Sequence, residues 1–360
     1  MSKFDSYIIK RFAGAFFFLL LAVIAIVIVV DFNEKSDKFL ADDGPALGEI
    51  LQNYAYNVVP YFANLLTPIC VFLAVVFFTS RMAQRTELIP LLSGGVSFYR
   101  ILLPYVALAV VIAAGSFYLK SYVVPNSVDR QLVFDYEHKF RSDNKSRTKN
   151  VHKKVSADDT FVSFEYYQAA RAEGTGFMME RKEGNDFVMR LKADRIQYID
   201  SLNVWRLKRV EKRTFNGLQE KLVFIAEMDT TMLLLPSDLK VREMMAEAMT
   251  LPDLKEYIHM EEMRGSDILF DLYSEHHRRY ADPIAVIILT LIGFAMSSRK
   301  SRGGIAVQIG LGLVICFTYI ALLYVGKAAV GDDFEPFWAV WMPNILFFPL
   351  AIWLLRRAPK

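Results

Sequence analysis

The chain has 360 residues, 54% of them hydrophobic, with a mean hydropathy of +0.25 and a net charge of +3. So small a net charge excludes the basic balance of a nucleic-acid binder, and the apolar residues fall in long blocks rather than at helix or strand spacing, which is the composition of membrane spans. The two cysteines, Cys70 and Cys316, lie inside apolar blocks, which excludes a disulfide framework for any soluble part.

The N-terminus starts basic (Lys3, Lys10, Arg11) and runs into an apolar stretch from Phe12 to Val30. That stretch is long enough to cross a hydrocarbon core of about 30 Å. Asp31, Phe32, Asn33 and Glu34 follow it in place of a small-residue cleavage site, so it reads as a first span rather than a secretory signal. Five more spans are expected at roughly Tyr61–Thr79, Ile101–Val124, Tyr280–Ser297, Ile305–Val325 and Phe337–Leu355. Pro68 and Pro283 are compatible with this, because neighbouring helices can re-satisfy a freed carbonyl. Pro283 is expected to kink a helix that begins earlier, near an N-cap at Ser266 and Asp267 after Gly265.

Between the third and fourth spans lies a long soluble insert with mostly strand-like alternation. Val162, Phe164 and Tyr166 alternate with Phe161, Ser163 and Glu165; Phe187, Met189, Leu191 and Ala193 alternate with Val188, Arg190, Lys192 and Asp194; Trp205 and Leu207 alternate with Arg206 and Lys208. Turns are expected at Gly174–Gly176, Gly184-Asn185, Asp200-Ser201 and Asn216-Gly217. The pattern predicts a small all-β sandwich or jellyroll. A helix is expected over Leu251–Met263, and the charged stretch Arg141–Lys154 reads as a mobile loop. The chain thus divides into residues 1–124 with spans 1 to 3 and a short loop helix at about 82–95, residues 125–265 with the β insert and its closing helix, and residues 266–360 with spans 4 to 6.

Charge bias sets the expected orientation. The N-terminus, the Ser80–Arg100 loop, the Ser298–Gly304 loop and the C-terminal tail carry twelve Lys and Arg against only Asp5 and Glu87, so both termini are expected in the cytoplasm. Asp31–Val58 and Gly326–Pro336 are rich in Asp and Glu, which places them and the insert outside.

Enzyme chemistry finds no support. No G-x-x-x-x-G-K-[ST] cradle, strand-linked G-x-G-x-x-G or G-x-S-x-G elbow occurs, and neither His259 with Glu262 nor Glu275-His276-His277 has the spacing of H-E-x-x-H. No cofactor or metal is expected. Two polar features remain. The loop stretch Met82–Leu92 carries Arg85 and Glu87; it reads either as an interfacial helix with solvated charges or as a docking helix whose carboxylate meets a basic side chain of a cytoplasmic partner. The run His276-His277-Arg278-Arg279 opposes the positive-inside trend; its arginines either snorkel to headgroups or meet the phosphates of an anionic lipid, together with Lys35, Lys38 or Lys120. On the predicted strands, Phe187, Met189 and Leu191 share one face, which suits an acyl-chain groove and suits a plain hydrophobic core equally well.

These pieces together give a resemblance. Asp5-Ser6-Tyr7-Ile8-Ile9-Lys10, MAQRTELIPLLSGGVSFYRI (Met82–Ile101), Val124-Pro125, MTLPDLKEYI (Met249–Ile258), HRRYADPIAVIILTLIGFAMSSRKSRGG (His277–Gly304) and Met342-Pro343-Asn344 occur in order around a three-plus-three layout. The chain resembles the LptF/LptG lipopolysaccharide-export permeases over nearly its whole length, with the Gln84-Arg85 before Glu87 and the Asp-x-Tyr start leaning towards LptG. Ser93-Gly94-Gly95 departs in residue type from the family's turn. The resemblance implies a bacterial inner-membrane permease paired with a paralogous permease, a cytoplasmic ATPase dimer that binds the ATP, a β-jellyroll insert and a periplasmic jellyroll bridge protein. It also implies that Glu87 is the acid that contacts the ATPase, and that lipopolysaccharide or a related glycolipid is the cargo. The alternative is a membrane-anchored structural or sensory module whose β domain binds an envelope partner. A passive anchor, however, needs neither five extra spans nor an acid-bearing loop.

Overall fold

In the computed structural model of the chain, the described residues are 3–41, 44–138, 147–156, 160–168, 172–183, 186–200, 202–216, 219–232, 245–264, 268–298, 304–328 and 335–358. Six helices among them are long and apolar enough to cross a membrane. The first, α1 (Lys3–Phe39), extends well beyond its apolar middle at both ends, because neither charged flank contains a proline or glycine to stop it. Its 37 residues span about 55 Å.

The second span is continuous from α2 (Leu47–Asn53) through a π-helical turn (Tyr54–Val58) into α3 (Val59–Gln84). The third runs from α5 (Phe98–Tyr118) through a second π turn (Leu119–Val123) into α6 (Val124–Glu137), with the short α4 (Leu88–Ser93) lying between α3 and α5. Each π turn ends two residues before a proline, Pro60 or Pro125, whose missing N–H frees a carbonyl in the preceding turn. At the first turn the freed acceptor is Tyr56 O, and the Ser127 hydroxyl of α6 donates to it at 2.9 Å. The remaining helices are α7 (Leu251–Arg264), α8 (Leu269–Ser297), α9 (Gly304–Ala328) and α10 (Pro336–Arg357). The expected N-cap at Ser266 and Asp267 lies outside the described residues.

The chain divides into two compact units, one of Met1–Phe134, Glu247–Leu251 and Phe270–Lys360, the other of Asp135–Ala246 and Pro252–Leu269. In the helical unit α3 and α8 are central: 61% and 67% of their apolar windows are buried, against 6% for α1. One core gathers Ile8, Phe12, Phe78, Tyr105 and Phe294 from α1, α3, α5 and α8; another gathers Phe72, Ile292, Tyr319 and Phe347 from α3, α8, α9 and α10. Phe72 fits because two glycines face it: a Cβ on Gly293 or on Gly312 would lie 3.2 Å from its ring. Polar ties cross the same core. The Tyr319 hydroxyl donates to Asn344 Oδ1 at 3.1 Å, and Asn344 Nδ2 donates to Ala281 O at 2.9 Å.

Among its described residues the second unit holds one antiparallel sheet of six strands: β1 (Arg147–Ser156), β2 (Thr160–Gln168), β3 (Glu173–Glu183), β4 (Asp186–Ile199), β5 (Val204–Asn216) and β6 (Gln219–Thr230). The all-β insert is therefore present, and its order β1 to β6 is a meander joined by sequential neighbours rather than a Greek key. Residues Arg147–Lys154, expected in a mobile loop, form β1, whose lysine-rich sequence suits an edge strand; 141–146 lie outside the described residues.

Strict alternation fails once on every strand from β2 to β6. The buried row Phe177, Ala193, Val210 with half-buried Ile225 is followed by the row Tyr167, Gly174, Ile196, Leu207 with half-buried Met228, three residues away on each strand. Between the rows the backbone is left-handed at Gly176 on β3 (φ 63°) and Arg209 on β5 (φ 54°), and the pairing register runs unbroken across them. Tyr167 rather than Tyr166 is therefore the core tyrosine, and Gly174–Gly176, expected as a turn, lies inside β3. Gly174 is needed there because a Cβ would come within 2.7 Å of the Phe164 ring. Three strand spacings separate β2 from β5, about 14 Å in a flat sheet. The Phe164 and Trp205 rings nonetheless lie 6.4 Å apart, so the sheet curls to bring its apolar face onto itself. At the β5–β6 edge a bidentate hydrogen bond from Arg206, at 2.8 and 3.0 Å, holds the Asp229 carboxyl below the usual carboxylate range.

Helix α9 meets α10 where a Cβ on Gly326 would lie 2.3 Å from Ala339 O, and backbone cannot move aside as a flexible side chain can. Gly326→Ala is expected to cost about 1–3 kcal/mol, read as a lower thermal midpoint in detergent. Gly310→Ala, with nothing within 4 Å, should leave the midpoint unchanged.

Candidate functional site: an acid-bearing turn and a buried charge network

The loop expected to be one helix over 82–95 divides in two. Helix α3 continues through Met82, Ala83 and Gln84, the chain turns over Arg85, Thr86 and Glu87, and α4 starts at Leu88. Thr86 has φ 58°, which is costly for a β-branched residue. Its hydroxyl donates to Arg85 O at 2.6 Å, and Glu87 N donates to Met82 O at 3.0 Å, so the turn is held from both sides. Buried Leu88, with Leu91 and Leu92, seats α4 on the helical core. Glu87 thus occupies the N-cap position of α4 without capping it, and its carboxylate faces the Tyr7 hydroxyl (3.4 Å) and Arg85 (4.0 Å). A second tie braces this end of the bundle: Arg100, at the start of α5, grips Asp5 of α1 with two bonds of 2.7 and 2.8 Å.

At the opposite ends of α3 and α5, three of the five cations picked from the sequence come together. Lys120, in the second π turn, lies 2.5 Å from Asp282 and 3.8 Å from Glu275 of α8. Glu275 also lies 3.7 Å from both Arg278 and Arg279, and Arg278 is 3.8 Å from Glu247. Arg279 is fully buried and donates to Met249 O at 2.6 Å, which fastens the segment Glu247–Leu251 to α8. Three cations and three carboxylates therefore balance in a network that is buried at Lys120, Glu275 and Arg279 and half-buried at Glu247, Arg278 and Asp282. Arg278 and Asp282 also line an apolar cavity of about 270 Å³ between α3, α8, α9 and α10, walled by Leu65, Ile69, Tyr319 and Leu323.

The other two cations stand elsewhere. Lys35 pairs with Asp31 one turn back on α1 at 3.0 Å, and Asp31 also accepts from the Tyr54 hydroxyl at 2.7 Å; Lys38 is in the last turn of α1. On β4, Leu191 is buried in the sheet core, Met189 is half-buried, and Phe187 is exposed at the strand's start beneath Lys182 and Arg190.

The family model described as "Lipopolysaccharide export system permease LptF/LptG" matches residues 6–357. The chain belongs to the LptF/LptG family. As a lipopolysaccharide export permease it is a component of a transporter rather than a catalytic enzyme. A search of curated proteins returned no match.

Several polar residues of this LptF/LptG permease were not picked out by sequence reasoning: Glu247, Glu275 and Asp282 as partners of the cations, Tyr7 as partner of Glu87, and Asp5 as partner of Arg100. A signal existed for one pair. Lys120 and Asp282 are charges inside or at the edge of apolar spans, and each demands an opposite charge nearby. Removing one partner of the network should be severe: Asp282→Ala is expected to cost about 3–5 kcal/mol by stranding Lys120. Lys120→Met combined with Asp282→Leu should recover most of that loss. A double-mutant cycle on unfolding in detergent measures both.

Proposed function

We propose that this permease is one half of an ATP-driven exporter that takes lipopolysaccharide from the outer leaflet of the bacterial inner membrane and passes it to a periplasmic jellyroll bridge protein. The carrying observation is the strained turn at Thr86, which fixes Glu87 at the start of a short helix seated on the core. Such an element transmits a push from a partner into α3 and α5 because it has little freedom of its own. The partner is a cytoplasmic ATPase dimer, with Arg85 flanking the contact, and ATP binds there rather than in this chain. The excess of Lys and Arg at the Glu87 end supports cytoplasmic termini. The sparse burial of α1 supports a paralogous permease as its neighbour.

For the cargo, Arg278 at the rim of the apolar cavity is the proposed first contact for a lipid phosphate, with Lys120 and Arg279 retaining the carboxylates that Arg278 would release. Lys35 and Lys38 add positive charge on α1. Acyl chains are then proposed to follow the apolar face of β4 past Phe187, Met189 and Leu191, and the edge strand β6, with exposed Leu222, Val223 and Phe224, offers an open edge for the bridge protein.

Losing a charge-assisted contact of about 1.5–3 kcal/mol should weaken association with the ATPase by about tenfold or more. Glu87→Ala is expected to do this, and Glu87→Lys to do more, with membrane insertion intact; co-purification with the ATPase and lipid export in cells are the readouts. Export at the wild-type rate from Glu87→Lys would remove Glu87 from the coupling path.

A further inference from the structure

Beside the Glu87 turn, a hollow of about 360 Å³ opens between α1 and α3. Lys10, Arg11, Arg81 and Arg85 line it, against Glu87 alone. Among the described residues, Arg85 faces Glu87 at 4.0 Å, and no ion pair is made by Lys10, Arg11 or Arg81. Arg11 instead lies over the Tyr7 ring. Four cations gathered with one carboxylate at the end of two spans repel one another, and an anion between them relieves that repulsion.

The spacing of the lining residues says which kind of anion. Lys10, Gly14 and Phe18 follow each other at i, i+4, i+8 on α1, and Phe77, Arg81 and Arg85 do the same along α3 and its C-cap. Both stripes line the same hollow, and each is cationic at its outer end and aromatic towards the apolar middle of its helix. Phe18 is 73% exposed and Phe77 38% exposed, so the aromatic ends of both stripes are accessible along the groove. A Cβ on Gly14 would meet nothing within 4 Å, which leaves the groove open alongside α1 between the two levels. A site for a soluble anion or a protein side chain has no use for an apolar continuation of that kind; a phospholipid needs both parts.

We propose that the α1–α3 groove binds an anionic phospholipid, its phosphate held between Lys10, Arg11, Arg81 and Arg85 and its acyl chains running along Phe18 and Phe77. The bound lipid bridges the N-terminal part of α1 to the turn that carries Glu87, so the acid-bearing turn is positioned in a lipid-dependent way. The site rests on the six-span architecture and stands whether or not Glu87 contacts an ATPase.

The test uses the full chain purified with its co-purifying partners. Native mass spectrometry during titration with phosphatidylglycerol or phosphatidylcholine measures lipid binding to the wild type, to Lys10→Gln with Arg81→Gln, and to Arg357→Gln, a cation outside the groove. Phosphatidylglycerol affinity is expected to fall roughly fivefold for each groove cation removed, and about 25-fold in the double variant. Phosphatidylcholine binding and the Arg357→Gln variant should be unaffected. Photoactivatable phosphatidylglycerol should crosslink to α1 and α3 of the wild type, a readout that needs no substitution. Equal phosphatidylglycerol affinity in the double variant, equal binding of the two lipids, or crosslinks confined to other helices would overturn the proposal. So would displacement of the lipid by glycerol phosphate at matching concentration, which marks a free-phosphate site. Loss of the ATPase from the double variant with lipid binding retained would assign the groove to protein docking and overturn it as well.

Discussion

A buried charge cannot be left alone at membrane depth, and that constraint organises the helical unit. Lys120, Arg278 and Arg279 enter the bundle only because Glu247, Glu275 and Asp282 meet them. The meeting brings together residues from α5's π turn, from α8 and from the segment before α7, which are far apart along the chain. The contacts of Lys120 with Glu275 and Asp282 tie the π turn after α5 to α8, while Phe72 of α3 packs between Gly293 of α8 and Gly312 of α9. Replacing such a network by apolar side chains need not destabilise a protein, but breaking half of it does. The network thus sets how these helices are paired more than how stable they are.

The two ends of the bundle use different physics. At the network end, charge is balanced and buried; the π turns before Pro60 and Pro125 shift the helices locally and let side chains such as Ser127 satisfy the freed carbonyls. At the Glu87 end, charge is unbalanced and open. Asp5–Arg100 braces α1 against α5, and α4 rests on the core, yet the cations of the α1–α3 groove remain exposed, with half-buried Glu87 the one carboxylate among them. The first arrangement ties helices to one another, whereas the second leaves cations exposed beside the Glu87 turn. The sheet unit meets a related problem with apolar surface alone: a single meander has one greasy face, and the break in alternation on β2 to β6 together with the curl covers it.

Much of this was legible in the sequence, and the reason is lipid. Six apolar blocks and the charge bias between them follow directly from what a bilayer tolerates, so the number of spans could be counted before any contact was known. Alternation marked β4 and β5, where period two in burial is kept through Leu191–Ala193 and Trp205–Leu207. The ordered motifs, MAQRTELIPLLSGG and HRRYADPIAVIILTLIGFAMSSRKSRGG among them, pointed to the family whose model spans residues 6–357.

Other features belonged to the tertiary structure. Helix ends ran past the apolar blocks, since hydropathy reports the lipid boundary and not where hydrogen bonding stops. The Gly174–Gly176 segment looked like a turn because glycine favours turns, yet Gly174 is there to admit the Phe164 ring and Gly176 to take a positive φ inside a strand. Strict alternation named Tyr166 for the core in place of Tyr167, since no local pattern announces a shift made on five strands at once. The partners of Lys120, Arg278, Arg279 and Glu87 lie from two to more than a hundred residues away. Composition and periodicity are local, so they determined the spans, the strands and the sign of each loop; which charge meets which depends on contacts between distant segments, and only the folded chain decides those.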